Sequence, residues 1–209
     1  MAADTASLPI ASAAPHTLAK FLIWEQAQEL RHEWVGGRPW AMTGGTQAHN
    51  RIARNICRFL EDAPRGKPCE PFMTDLKVVI DAPDHVRYPD VVLDCAPFAA
   101  NATQAGKPTL VVEVLAKPTA WFDQTEKMDD YAAVSSIAGL ILIDQNKRQA
   151  QRWRREGEAL VRAELLSDAD AIPIAALDVS LPFAATYGGL EVPAPGLAQS
   201  PPAEGSEGG

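Results

Sequence analysis

The sequence predicts an α/β domain: a mixed β-sheet core flanked by helices. Three features lead there: short β-branched runs such as YPDVVLD and TLVVEVL, a clean helical stripe in NRIARNICRFLE, and the way helices and strands alternate along the chain. At 209 residues, 46% hydrophobic and 22% charged, the chain has the make-up of one globular domain. Its apolar runs stop well short of the roughly 18 to 20 residues that a membrane span needs. No membrane partner is expected.

Residues 1–15 read as a small-residue leader, because Asp4 comes early and no basic stretch precedes the apolar residues. Residues 17–31, TLAKFLIWEQAQELR, read as a helix with an uneven apolar face and Thr17 as N-cap. HEWVGGRPWAM follows as two extended runs about a Gly36–Gly37 hairpin turn. A second helix is expected over 47–61, capped by Thr46. Ile52, Ile56, Phe59 and Leu60 form its core stripe, and His49 lies on the buried side of its first turn. Pro64, Gly66 and Pro68 end it and lead into the strand material CEPFMTDLKVVI.

Two strands are expected at 88–94 and 109–115, then a third helix at about 123–134 after Pro118. GLILID reads as a buried strand, RQAQRWRR as an alternating one, and ALVRAELL as its partner across the turn at Glu156–Gly157–Glu158. From residue 191 the chain is Pro/Gly/Ser/Ala/Glu material that cannot build a core and is expected to be disordered. The domain is thereby bounded to 16–190.

Three cysteines, Cys57, Cys69 and Cys95, without CxxC spacing read as free thiols in a reducing cytoplasm. The net charge of −8 weakens a nucleic-acid reading taken alone. One segment runs against it: NKRQAQRWRR holds Lys147, Arg148, Arg152, Arg154 and Arg155 around Trp153. That strip could contact phosphates, or it could simply guard an exposed edge strand.

Two acids stand where buried strands would want valine: Asp90 in the first strand and Glu113 in the second. Strand periodicity puts Tyr88, Asp90, Val92 and Asp94 on one face, and Val111, Glu113 and Leu115 on one face of the other strand. If the strands pair, the acids converge. Two touching carboxylates repel, so one keeps its proton unless a cation bridges them. Mg²⁺ or Mn²⁺ suits such an all-oxygen site. Simple ion pairs to Arg87, Lys77 or Lys117 would also satisfy the acids.

YPDVV and LVVEVL, with RHEWVGGRPWAM, AHNRIARNI, TDLKV and FDQTEKMDDYAA in this order, resemble the Uma family of restriction-endonuclease-like proteins, within the PD-(D/E)XK nuclease superfamily. The resemblance covers about residues 17–185. It implies a restriction-endonuclease-like fold and a Mg-dependent endonuclease hydrolysing phosphodiester bonds in DNA. Asp90 and Glu113 would hold the metal with the Val114 carbonyl. Glu33, read as lying at the end of the first helix, would hold a second metal or orient its water, or be a plain surface acid. His49 would contact the scissile phosphate or the water, or be a satisfied core histidine.

The superfamily pattern also wants a lysine two residues after the second acid, where this chain has Leu115. Lys127 is the natural substitute, since Asp123, Lys127 and Tyr131 recur at four-residue steps along one helix face. Lys77 is its rival. Ala116 stands where the family more often has serine, which decides little. The alternative to an active nuclease is a nuclease-fold module that binds nucleic acid or protein without cleaving. Double-strand cutting needs two sites, which a homodimer would supply.

Overall fold

The computed structural model describes residues 14–42, 44–63, 68–116, 125–166 and 170–193. Most of the expected leader and tail, and Pro64, Gly66, Lys117, Pro118 and Asp123, lie outside the described residues. The elements are α1 (Leu18–Glu25), β1 (His32–Val35), β2 (Arg38–Ala41), α2 (Gln47–Glu61), β3 (Glu70–Met73), β4 (Val78–Ile80), β5 (His85–Arg87), β6 (Val91–Asp94), β7 (Pro108–Leu115), α3 (Thr125–Ala133), β8 (Gly139–Asp144), β9 (Ala150–Glu156), β10 (Ala159–Leu166), β11 (Ala171–Ile174), β12 (Val179–Pro182) and α4 (Phe183–Thr186).

Six strands form the main sheet in the order β10-β9-β8-β7-β6-β3, with β7 and β8 parallel and the other pairs antiparallel. A parallel pair needs a crossover, and α3 lies within it. On one face Val91, Leu93, Val112 and Val114 pack against the α2 stripe Ile52, Ile56 and Leu60. On the other, Val92, Val111, Leu115 and Leu140 pack with Tyr131 and Ile137. With both faces covered, the central strands read as near-continuous apolar runs, and any acid in them is conspicuous. A second sheet, β2-β1-β5-β4, buries Trp34, Val86 and Tyr88 against Phe21 of α1.

Both expected N-caps are made. The Thr17 hydroxyl accepts from the Lys20 amide at 3.3 Å and the Thr46 hydroxyl from the His49 amide at 3.1 Å. Each such cap is worth about 1 kcal/mol. Helix α1, however, stops at Glu25 and does not run to residue 31. Tight bonds from the Ala27 and Gln28 amides to Trp24 and Glu25 close it, while the Glu25 carboxylate is drawn into the core by Lys77 and Tyr88. The rest of the segment has little to bury, and Leu30 is left 59% exposed.

The run 88–94 is a strand only from Val91. Residues 88–90 carry the chain from the second sheet into the main one, and Pro89 has no amide to give a ladder. CEPFMTDLKVVI likewise splits, with β3 in the main sheet and β4 in the second.

Two further expectations are corrected. Cys69 and Cys95 form a disulfide and are not free thiols. They occupy the opposed positions one step beyond the Glu70↔Asp94 pair, a proximity their 26-residue separation concealed. Cys57 is the free cysteine among the described residues, and burial pushes its thiol up to about 11. The arginine-rich β9 is no edge strand, since it lies between β8 and β10. Arg155 closes the end of α3, donating to the carbonyls of Ala132, Val134 and Ile137 at 2.7 to 2.9 Å. Arg152 and Arg154 pair with Glu164 and Glu156. The strip is largely spent on structure.

Candidate active site

Strands β6 and β7 pair with Val91 opposite Val112, so Asp90, one residue before β6, comes opposite Glu113. The ladder continues through the Asp90 side chain, whose Oδ2 accepts from the Val114 amide at 2.7 Å. Both acids are buried, and neither is paired with Arg87 or Lys77. Asp90 Oδ1 and Glu113 Oε2 accept no hydrogen bond from the described residues.

The cation beside the acids is Lys127. From α3 its ammonium lies 3.4 Å from Glu113 Oε1 and 3.0 Å from Glu33 Oε1. Burial alone would lower its pKa, but the two carboxylates outweigh that and hold it firmly protonated. Lys77 is excluded from this role, because it is buried in an ion pair with Glu25 at 2.9 Å and lies over the Tyr88 ring. Leu115 does share the face of Glu113, but it is packed in the core beneath Tyr131, where an ammonium would be stranded.

Glu113 is pushed up to about 7, chiefly by burial and further by Asp90 and Glu33, against the pull of Lys127 and the Tyr131 hydroxyl that donates to it at 2.6 Å. Tyr131 lies four residues beyond Lys127 on the same helix face, as the spacing in the sequence implied. Its other expected neighbour on that face, Asp123, is outside the described residues.

Glu33 is on strand β1, not at the end of a helix. Its oxygens take Lys127, the Arg87 guanidinium at 3.0 Å and the Tyr88 amide at 3.4 Å. Burial would raise it, but Lys127 and Arg87 hold it below the usual carboxylate range. Behind it Arg87 meets Asp130 at 2.6 Å, and Asp130 meets His85 Nδ1 at 2.7 Å. His85 Nε2 accepts from the Gly36 amide at 3.1 Å, so the ring carries its proton on Nδ1 and ties the hairpin turn to α3. Nothing local in the sequence marks Asp130 or His85 as site supports, since their partners lie more than 40 residues away.

His49 faces Asp90 from the first turn of α2, with Nε2 3.2 Å from Oδ2. That contact raises the imidazole pKa most; burial opposes it, and the Asp90 and Glu113 charges and the Val114 backbone add to the rise. Gly45 makes the approach possible, because a Cβ there would stand 2.8 Å from His49 Nδ1. Thr46 also donates from its hydroxyl to Gln145, and Gln145 and Asn146 hold the Ala116 carbonyl at the end of β7. Asp90, Glu113, Lys127, Glu33 and His49 are thus brought together from the residue before β6 and from β7, α3, β1 and α2.

The donor set suits a hard divalent ion. Asp90 and Glu113 have lone pairs to spare, and the Val114 carbonyl lies on the same strand edge as the amide that Asp90 takes. Among the described residues no group of three His, Cys, Asp or Glu side chains forms a ligand cage. Mg²⁺ does not require one, since it keeps several waters and is commonly held by one or two carboxylates.

Comparison with known proteins agrees with this architecture. A crystal structure described as "a putative nuclease belonging to DUF820 from Anabaena variabilis" superposes with a TM-score of 0.68 at 16% identity, covering 83% of this chain and 98% of that one. Two Synechocystis sp. proteins named as uncharacterized are similar in sequence. One, slr1290, is 28% identical over 193 residues, 91% of this chain and 99% of its own length. The other, sll1609, is 27% identical over 145 residues, 68% and 82% of the two lengths. Residues 18–184 match the family model Uma2, described as "Putative restriction endonuclease", and the chain belongs to that restriction-endonuclease-like family.

Proposed function

We propose that this protein is a metal-dependent endonuclease that hydrolyses phosphodiester bonds in DNA. The observation that carries the reading is the opposition of Asp90 and Glu113 across β6 and β7, with the Lys127 ammonium against Glu113 although the strand position for lysine holds Leu115. Asp90, Glu113 and the Val114 carbonyl would hold Mg²⁺ or Mn²⁺, which when bound lowers the pKa of water and neutralises phosphoryl charge. Lys127 offers a fixed positive charge to the attacking oxygen or the phosphate. Glu33 and Tyr131 keep Lys127 and Glu113 in place. His49, once released from Asp90, can hold or deliver a proton at Nε2. A cytoplasmic location would suit a DNA substrate, and a homodimer would let two sites cut both strands. The disulfide lends the cytoplasmic reading no support.

The alternative is a non-cleaving module that binds nucleic acid or protein; Leu115 in place of the strand lysine favours it, and the net charge of −8 favours its protein-binding form. Plasmid nicking with Mg²⁺ or Mn²⁺ separates the two. Divalent-dependent cleavage abolished in Asp90→Asn supports the nuclease. Salt-sensitive DNA binding without cleavage in either ion supports the module.

A further inference from the structure

The β1–β2 hairpin has two unlike faces. Trp34 is buried in the core of the second sheet. On the opposite face Glu33 stands directly across from Trp40, and Val35 across from Arg38. Directly opposed side chains are close neighbours, with Cβ atoms about 4.5–5.5 Å apart. Trp40 therefore adjoins the acid that holds Lys127. It is 59% exposed, and its indole nitrogen donates to the Val35 carbonyl at 3.4 Å, which tethers the ring. Glu33, Arg38, Trp40, Arg87 and Glu126 border a hollow of about 560 Å³. This is within the range of small-ligand clefts, roughly 300–1,000 Å³.

Arg87 supplies an independent sign of a ligand. It is only 5% exposed, yet its Nη2 has no hydrogen-bond partner among the described residues. Glu126 Oε2 stands 3.7 Å from it, beyond hydrogen-bond distance, on a side chain 64% exposed. A buried guanidinium donor left unmatched beside an open hollow is costly unless something fills it.

We propose that this hollow is a subsite for one unpaired nucleotide of the DNA strand next to the cleaved bond, with its base stacked on Trp40 and its phosphate taken by Arg38 and Arg87. The proposal rests on the nuclease reading for its choice of ligand. A tethered indole flanked by guanidinium groups suits an unstacked base, which a continuous duplex does not present. The protein would then prefer single-stranded, frayed or gapped DNA over intact duplex.

The test measures fluorescence-anisotropy binding of a labelled single-stranded oligonucleotide, and of the same sequence as a duplex, to the full chain in EDTA, so that cleavage plays no part. Tighter binding of the single strand is expected, weakened about five- to a hundredfold by Trp40→Ala, the range of one base–aromatic stack. Trp40→Phe should keep most of the affinity. Arg38→Ala should lower the salt slope by close to the roughly 0.7 expected per single-strand phosphate contact. Unchanged circular dichroism confirms the fold of each variant. Equal affinity of Trp40→Ala and wild type overturns the subsite, as does failure of the wild type to bind any oligonucleotide. If Trp40→Ala loses binding while no divalent ion supports cleavage, the subsite stands and the nuclease reading falls. If cleavage depends on Asp90 while Trp40→Ala alters neither affinity nor KM, the subsite falls and the nuclease reading stands.

Discussion

Replacing Glu113 by glutamine should make the protein more stable above neutral pH, although it removes a candidate metal ligand. Glu113 is buried, and burial together with Asp90 raises its pKa from 4.5 to about 7. The unfolded chain therefore releases this proton at lower pH than the folded one. Below about 4.5 the group costs nothing; as pH rises toward 7 the folded state binds more protons than the unfolded, and stability falls. At ~1.4 kcal/mol per pH unit, the full rise corresponds to about 3 kcal/mol lost by pH values above the window. Glutamine keeps the oxygen that accepts from Tyr131 and leaves Lys127 its partner Glu33 at 3.0 Å.

Urea denaturation of wild type and Glu113→Gln, in EDTA, below and above this window provides the assay. The curves should coincide at the acid end and separate by about 1–3 kcal/mol in favour of the variant at the alkaline end. A variant less stable than wild type at alkaline pH would show that the Lys127 pairing outweighs burial, and the account of Glu113 would be wrong. On the proposed reading, a divalent ion at Glu113 would replace the proton as the neutralising charge. Ion binding should release protons near neutral pH.

Lys127→Met should lower any divalent-dependent cleavage by about 10²–10³-fold, the effect of losing one charge-stabilising donor. Lys77→Met should leave cleavage per folded molecule intact but cost about 3–5 kcal/mol of stability by breaking the buried pair with Glu25, which keeps the Tyr88 hydroxyl and Arg31, read from urea midpoints. Gly45→Ala should displace His49 from Asp90, and NMR titration should show the imidazole pKa falling back toward its ordinary 6.5. Arg155→Met removes the donors that close α3 and should cost about 2–4 kcal/mol in urea unfolding, whereas Arg154→Met, on an exposed pair, should change stability by less than about 1 kcal/mol.

By itself the sequence determined the features that depend on near neighbours. Thr46 and the stripe Ile52, Ile56 and Leu60 specify α2, because capping and a 3.6-residue period act within a few turns. Gly36–Gly37, both at positive φ, specify the hairpin, since only glycine adopts that backbone without strain. Asp90 and Glu113 were conspicuous for the same reason: period-two strands covered on both faces leave no ordinary place for a carboxylate. Tertiary structure decided everything that depends on partners distant in the chain. It gave Lys127 to the acids and Lys77 to Glu25, moved Glu33 from a helix end to a strand facing Trp40, spent the β9 arginines on structural contacts, and joined Cys69 to Cys95. Charge and hydrogen-bond pairing act over a few ångströms of space whatever the separation along the chain. Only the folded arrangement of strands and helices could assign them.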